Sequence, residues 1–402
     1  MSEIKKLIER LCPDEVEYKK LGELGTFYGG LTGKSKKDFG NGNAKFITYM
    51  NVYSNPALDL SVTDTVQIAE GEKQNKVQYK DILFTGSSET PEESGMTSVI
   101  TKEIQEDFYL NSFCFGLRLF NPDLFNADFL KHYFRSHEAR KAIARTASGV
   151  TRFNVSKAKL ANFEIPVPPI EVQSKIVEYL DNFTELEAEL EAELEARKKQ
   201  YEYYRNQLLT FDKDKGARFD VKWCTMKDIC KLQRGKVYSK KYIEENKGNF
   251  PVYSSQTADN GELGRINTYD FEGDYITWTT DGAYAGTVFR RKGKFSITNV
   301  CGLISITDKS VKSDYLYYWL SINAKNYVYS GMGNPKLMSN QVEEIKVAVP
   351  PLSEQQRIVS ILDRFEALTT DLQSGLPAEI EARRKQYEYY REQLLTFKRK
   401  TA

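Results

Sequence analysis

The chain has 402 residues, 40% hydrophobic and 28% charged, with a formal net charge of +1 at pH 7, a length that suits two domains plus connecting structure better than one core. The near balance of 57 basic and 56 acidic residues excludes a broadly basic surface, so any nucleic-acid contact has to come from local clusters. A charged N-terminus, the lack of any run of about 18 apolar residues, and five scattered cysteines without a C-x-x-C pair read as a cytoplasmic protein with reduced thiols, no signal peptide and no membrane span.

In chain order, Val16-Glu17-Tyr18 opens the first half. Gly29-Gly30-Leu31-Thr32-Gly33-Lys34-Ser35 looks like a phosphate-binding loop, but that spacing needs a glycine where Tyr28 stands. It is expected to be a Gly-rich turn offering lysines to a DNA backbone. Asn43–Tyr49 alternates like a strand, and Ala127–Ile143 reads as one aromatic amphipathic helix carrying His132 and His137. Five residues apart on one helix, these histidines lack metal-ligand spacing. Pro168-Pro169 suits a helix start, and Pro169–Phe211 spans 43 residues, roughly 64 Å of helix at about 1.5 Å each. In it Phe183, Leu186, Leu190 and Leu194 recur at spacings of 3, 4 and 4, an eleven-residue type of period that favours a nearly straight or slightly right-handed coil. Glu187-Ala188-Glu189-Leu190 is followed by a second copy, Glu191-Ala192-Glu193-Leu194.

The second half repeats this plan. Val221-Lys222-Trp223 matches Val16-Glu17-Tyr18, Ser239-Lys240-Lys241 matches Ser35-Lys36-Lys37, and Asp274–Thr277 aligns with Asp81–Phe84. Arg234-Gly235-Lys236 stands where the first half has its Gly-rich turn. Gly273–Thr279 reads as a strand, Arg290-Arg291-Lys292 as either a hairpin tip or a phosphate contact, and Ser313–Asn323 as an aromatic amphipathic helix. Pro350-Pro351 then opens a second long helix, with Ser353 and Gln356 at capping-box spacing. Ser374-Gly375-Leu376-Pro377 predicts a break in it. Glu193–Phe211 and Glu379–Phe397 are identical at 16 of 19 positions, at an offset of 186 residues, whereas the helix openings match at an offset of 182. The second copy therefore carries four extra residues.

On the paired PP-I/L openings and the RKKQYEYYR-type endings, the chain closely resembles the specificity subunits of type I restriction–modification enzymes. The EAEL tandem is similar to the spacer repeat of the subclass called type IC. The resemblance implies two mixed α/β target-recognition domains separated by two long helices, which form an antiparallel intramolecular coiled coil in a pseudo-twofold tandem repeat. The expected boundaries are 1–166 and 214–348 for the recognition domains and 167–213 and 349–402 for the helices. Each domain would read one half of a bipartite site on double-stranded DNA. The helices would set the spacer and dock two modification subunits, with restriction subunits joining in the full complex. No catalytic residue, cofactor or metal is expected. No [DN]-P-P-[YF] or G-x-G-x-x-G motif occurs, which weighs against the alternative of a stand-alone methyltransferase; a scaffold that no longer binds DNA is the other alternative.

Residue types able to neutralise phosphates or read base edges nominate Lys34, Lys36, Lys37, Tyr49, Asn51, Tyr53, Ser87, Arg152 and Asn154 in the first half. In the second they nominate Lys236, Lys240, Lys241, Tyr253, Ser254, Ser255, Gln256, Thr280, Asp281, Arg290, Arg291 and Lys336. The repeated helix endings nominate Tyr201, Tyr204, Arg205, Tyr387, Tyr390 and Arg391 for partner binding.

Overall fold

The computed structural model describes residues 2–13, 15–211, 220–330, 333–371 and 373–400; the expected junction at 213–214 lies outside them. The chain divides into two compact units, Met1–Glu191 with Glu379–Ala402, and Ala192–Ala378. Each contains a strand-rich part and a stretch of both repeated helices.

In the first unit, Gly25–Gly29, Cys114–Leu119, Ile82–Thr85 and Thr97–Val99 form an antiparallel sheet in that order. Side chains alternate across a strand. Ile82 and Phe84 accordingly join the large core with Phe129, Leu130 and Phe134, while Leu83 joins a second core on the other face. Beside it, Phe39–Ile47 runs parallel to Phe108–Leu110. The second unit carries a six-stranded sheet ordered Cys230–Arg234, Cys301–Ile306, Phe271–Thr279, Val288–Ile297, Lys247–Tyr253 and Glu262–Ile266. Ile276, Trp278 and Ile304 pack there under the helix Ser313–Asn323.

The two strand frames match bond for bond. Gly30 N donates to Cys114 O and Gly235 N to Cys301 O; Asn111 N donates to Ile47 O and Thr298 N to Tyr253 O. Gly86 N donates to Phe113 O as Thr280 N does to Val300 O, and Val155 N to Gly86 O as Leu337 N does to Thr280 O. Thr85 pairs with Cys114 and Thr279 with Cys301, which makes Ile82 equivalent to Ile276. The alignment of Asp81–Phe84 with Asp274–Thr277 is therefore one residue out, and in a strand one residue exchanges the two faces. The glycine of the refused phosphate loop has a structural reason: a Cβ on Gly30 would lie 2.0 Å from Asn111 O, and one on Gly235 lies 2.0 Å from Ile297 O.

The expected helix Ala127–Ile143 is two helices, Ala127–Tyr133 and His137–Ala144. Ser136 caps the second by accepting from Ala139 N, so His132 and His137 lie on different helices. The long helix is continuous over Ile170–Leu208. The second copy is broken as expected, into Leu352–Thr370 and Leu376–Leu395. The capping box at Ser353 does not form; Pro351 occupies the N-cap position.

Both helix starts are instead latched by one buried glutamine. Gln173 Nε2 donates to Leu124 O and Pro168 O, while its Oε1 accepts from Asn126 N. Gln355 repeats this with Ser310 O, Pro350 O and Lys312 N. Along the long helix the less exposed positions include Leu180, Phe183, Glu187, Leu190, Leu194, Arg197 and Tyr201, a spacing of 3 and 4 in alternation, flanked by Asp181, Thr184 and Gln200. The seam is a heptad and not the eleven-residue period, because Leu186 faces solvent at 44% exposure and Glu187 takes the seam. In the first unit Tyr179 and Phe183 meet Tyr390, while Glu187 and Glu191 meet Arg384. The two stretches are thus antiparallel. No helix among the described residues is long and apolar enough to cross a membrane.

Candidate nucleic-acid interface

In the first unit five nominated residues converge. The strand Ser87–Ser88 pairs with Phe153–Val155, placing Asn154 opposite Ser87. Tyr49 OH donates to Ser87 O at 2.8 Å and its ring stacks on Tyr53 with centroids 6.0 Å apart. Arg152 lies 5.7 Å over the Phe113 ring. Asn154 and Arg152 are exposed, and so are Met50 and Phe113 beside them. The result is a polar, aromatic surface on a backbone fixed by cross-strand hydrogen bonds.

The second unit builds the same place from different side chains. Asp281 bridges to Lys336 as Ser87 does to Asn154. Thr280 Oγ1 donates to Asp281 Oδ2 at 2.6 Å, and Lys336 Nζ lies 4.0 Å from Asp281 Oδ1. Ser254 accepts from Thr298 Oγ1 at 3.0 Å, next to the half-exposed Ser255 and Gln256, whose amide donates to Glu262 O. These loops follow Tyr253 as Tyr49 follows Ile47. Sequence reasoning did not nominate Arg234, whose Nη2 donates to Thr280 Oγ1 at 3.2 Å, or the exposed Tyr284 and Tyr329. Arg234 was detectable, because it belongs to the repeat of the Gly-rich turn.

Other nominated residues are engaged elsewhere. Lys34 is paired with Glu72 at 2.6 Å and, through that hydrogen bond, holds the Glu72 carboxyl down to about 2. Lys236 is paired with Asp270 at 2.6 Å. Asn51 is buried and ties Asp59 O to its helix. Lys36 and Lys37 on a short 3-10 turn, and Lys240 and Lys241 at the start of the helix Lys240–Glu245, are exposed.

Arg290-Arg291-Lys292 is no hairpin tip: it sits mid-strand in Val288–Ile297, with the turn at residues 280–287. Successive side chains therefore point to opposite faces. Arg290 reaches Asp363 at 2.9 Å and covers Tyr317 and Tyr318. Arg291 is 2% exposed, stacked 3.6 Å over Tyr253, with Nε donating to Thr277 Oγ1.

The repeated helix endings contribute largely to packing. Tyr387 OH bonds His132 Nδ1 at 2.8 Å, Arg391 covers the Tyr387 ring at 5.3 Å, and Tyr390 packs on Tyr179 and Phe183. In the second unit Tyr201 and Tyr204 pack on Phe365, and Arg205 covers Tyr201 at 5.4 Å. The neighbouring Tyr203 and Tyr389, not nominated, are each 58% exposed. Among the described residues no group of three or more His, Cys, Asp or Glu could hold a metal ion.

A family profile described as the type I restriction modification DNA specificity domain matches residues 13–196 and 220–382, once per half. A Mycoplasma pneumoniae protein assigned as a type I specificity subunit is 45% identical over 234 residues, covering 58% of this chain and 92% of that one. The solved S subunit of a type I restriction-modification system from M. genitalium shares the fold at a TM-score of 0.54 and 17% identity, over 95% of this chain and 96% of that one. A second solved chain, from work on complex assembly and conformational transition of the type I R-M system, gives a TM-score of 0.66 at 18% identity, over 95% and 97%. The chain therefore belongs to the type I restriction modification DNA specificity family, the non-catalytic subunits that supply DNA recognition to type I restriction–modification systems.

Proposed function

We propose that the recognition regions, residues 1–166 and 214–348, each read one half of a bipartite site on double-stranded DNA. The repeated helices then set the spacer and hold two modification subunits, with restriction subunits joining in the full complex. The observation that carries this reading is the duplicated strand frame. The same hydrogen bonds recur in both units, yet the side chains on them differ: the buried Ser87 and the exposed Asn154 in one, the half-buried Asp281 and the exposed Lys336 in the other. A conserved platform with altered polar groups suits two readers of different sequence, since phosphate contacts position a protein while base contacts specify. Tyr203 and Tyr389, matched in the two helix copies and equally exposed, suit two equivalent docking surfaces for one kind of partner. Five free cysteines fit work in a reducing cytoplasm.

Single-molecule methylation sequencing of DNA from cells carrying this subunit with its modification subunit tests the reading. A bipartite motif with a fixed gap is expected. Methylation by the purified chain alone would make it a stand-alone methyltransferase, and an assembled complex that protects no defined sequence would make it a scaffold.

A further inference from the structure

The two strand frames coincide closely enough to compare the units position by position. Val155 N donates to Gly86 O and Leu337 N to Thr280 O, at 3.0 and 2.9 Å. These bonds place Asn154 opposite Ser87 and Lys336 opposite Asp281 on equivalent backbone. Asn154 and Lys336 are both exposed. They differ in hydrogen-bonding class: an amide presents one donor group and one acceptor, an ammonium only donors.

Four other candidate cations are held by neighbours, while Lys36, Lys37, Lys240 and Lys241 lie exposed. Lys34 and Lys236 are paired with carboxylates, and Arg290 and Arg291 are packed against aromatic rings. Lys336 is different. Its partner Asp281 already accepts from Thr280 Oγ1 through Oδ2, and the ammonium stands 4.0 Å from Oδ1 with its side chain 52% exposed. Asp281 can orient the ammonium without consuming it. The Asn154 amide makes only a long 3.4 Å bond to Arg152 O, so its donor and acceptor remain open to a ligand.

We propose that positions 154 and 336 are the specificity-determining positions of the two halves, with Ser87 and Asp281 opposite them setting the polarity of each. The reading rests on the proposed function above. In the major groove an Asn amide matches the N6 donor and N7 acceptor of adenine, and a Lys ammonium matches O6 and N7 of guanine. Asn154 reads an adenine in one half-site and Lys336 a guanine in the other.

The test exchanges the pairs within the full complex. Ser87→Asp with Asn154→Lys is made in the first half and Asp281→Ser with Lys336→Asn in the second, and each motif is mapped by methylation sequencing. In the first variant one adenine of one half-site should give way to guanine, with a preference of at least about fivefold, while the other half-site stays as it was. The second variant should do the reverse in the other half-site. Lys336→Arg should keep guanine, because arginine makes the same contact, and it guards against loss through misfolding.

An unmoved motif in the exchanged variants, or a change to any other base, overturns the assignment. So does equal weakening on all sequences with a shallower salt dependence, which would make these residues phosphate contacts. A wild-type complex without any bipartite motif would overturn the proposed function and this assignment together; a wild-type motif that the exchanges leave intact overturns the assignment alone.

Discussion

His132 joins three elements through its two ring nitrogens. Nε2 lies 2.7 Å from Asp181 Oδ1 and Nδ1 lies 2.8 Å from Tyr387 OH. The pattern assigns a neutral ring that donates from Nε2 to the carboxylate and accepts the tyrosine proton at Nδ1. Burial pushes the His132 pKa below its ordinary 6.5, outweighing the pull of Asp181. A lowered histidine pKa means that the unfolded chain binds the proton first, so stability is complete above about pH 6.5 and falls as the pH drops below it. We expect the thermal midpoint to decrease between pH 7 and pH 5.5 and His132→Gln to flatten that dependence. A scan of melting temperature against pH checks it, and an equal slope in the variant would refute it. Sequence reading could not find the duty of His132, because Tyr387 lies 255 residues away. Arg290 is similar: its partners Asp363 and Tyr318 are distant in the chain, so a basic run looked like a loop although it lies mid-strand with Arg291 buried.

At the scale of elements, patterns carried by short, local chemistry were legible and those set by tertiary packing were not. The helix starts at the proline pairs, the break at Gly375 and the helix Ser313–Asn323 follow from the sequence. The coil period was misread because the leucines suggested a stripe through Leu186, whereas the seam admits Glu187 to meet Arg384. The strand alignment slipped by one because apolar strands buried on both faces have weak alternation. The two latching glutamines were visible as repeated residues, but nothing in sequence says that each bonds three backbone groups. Gln355→Ala would leave Lys312 N and the carbonyls of Ser310 and Pro350 without this partner. Orphaned buried groups cost roughly 1–3 kcal/mol each, and some water entry should hold the total near 3 kcal/mol. Urea denaturation should show a lower midpoint, and hydrogen exchange should show the Lys312 amide losing protection; an unchanged midpoint would mean that the latch is ornamental.

For the whole molecule the consequential device is the EAEL tandem. Arg384 bonds Glu187 and Glu191, the first residue of each repeat, and Glu195 continues the series four residues on. Deleting Glu187–Leu190 would bring Glu191 and Glu195 into the places that Glu187 and Glu191 hold, so Arg384 would find the same two partners. The helix meanwhile becomes about 6 Å shorter and turns about 40° beyond a full revolution. The second copy has its break near Gly375, where a change of length can be absorbed without breaking a helix. We therefore expect the deletion to shorten the nonspecific gap by one or two base pairs, at about 3.4 Å per step, and to leave both half-sites unchanged. Removing only Glu187 and Ala188 makes the contrasting case, since about 200° of rotation turns Leu190 and Leu194 out of the seam and should abolish assembly. Methylation mapping of both variants decides the matter: an unaltered spacer in the four-residue deletion, or full activity in the two-residue one, would show that the paired helices do not measure the gap.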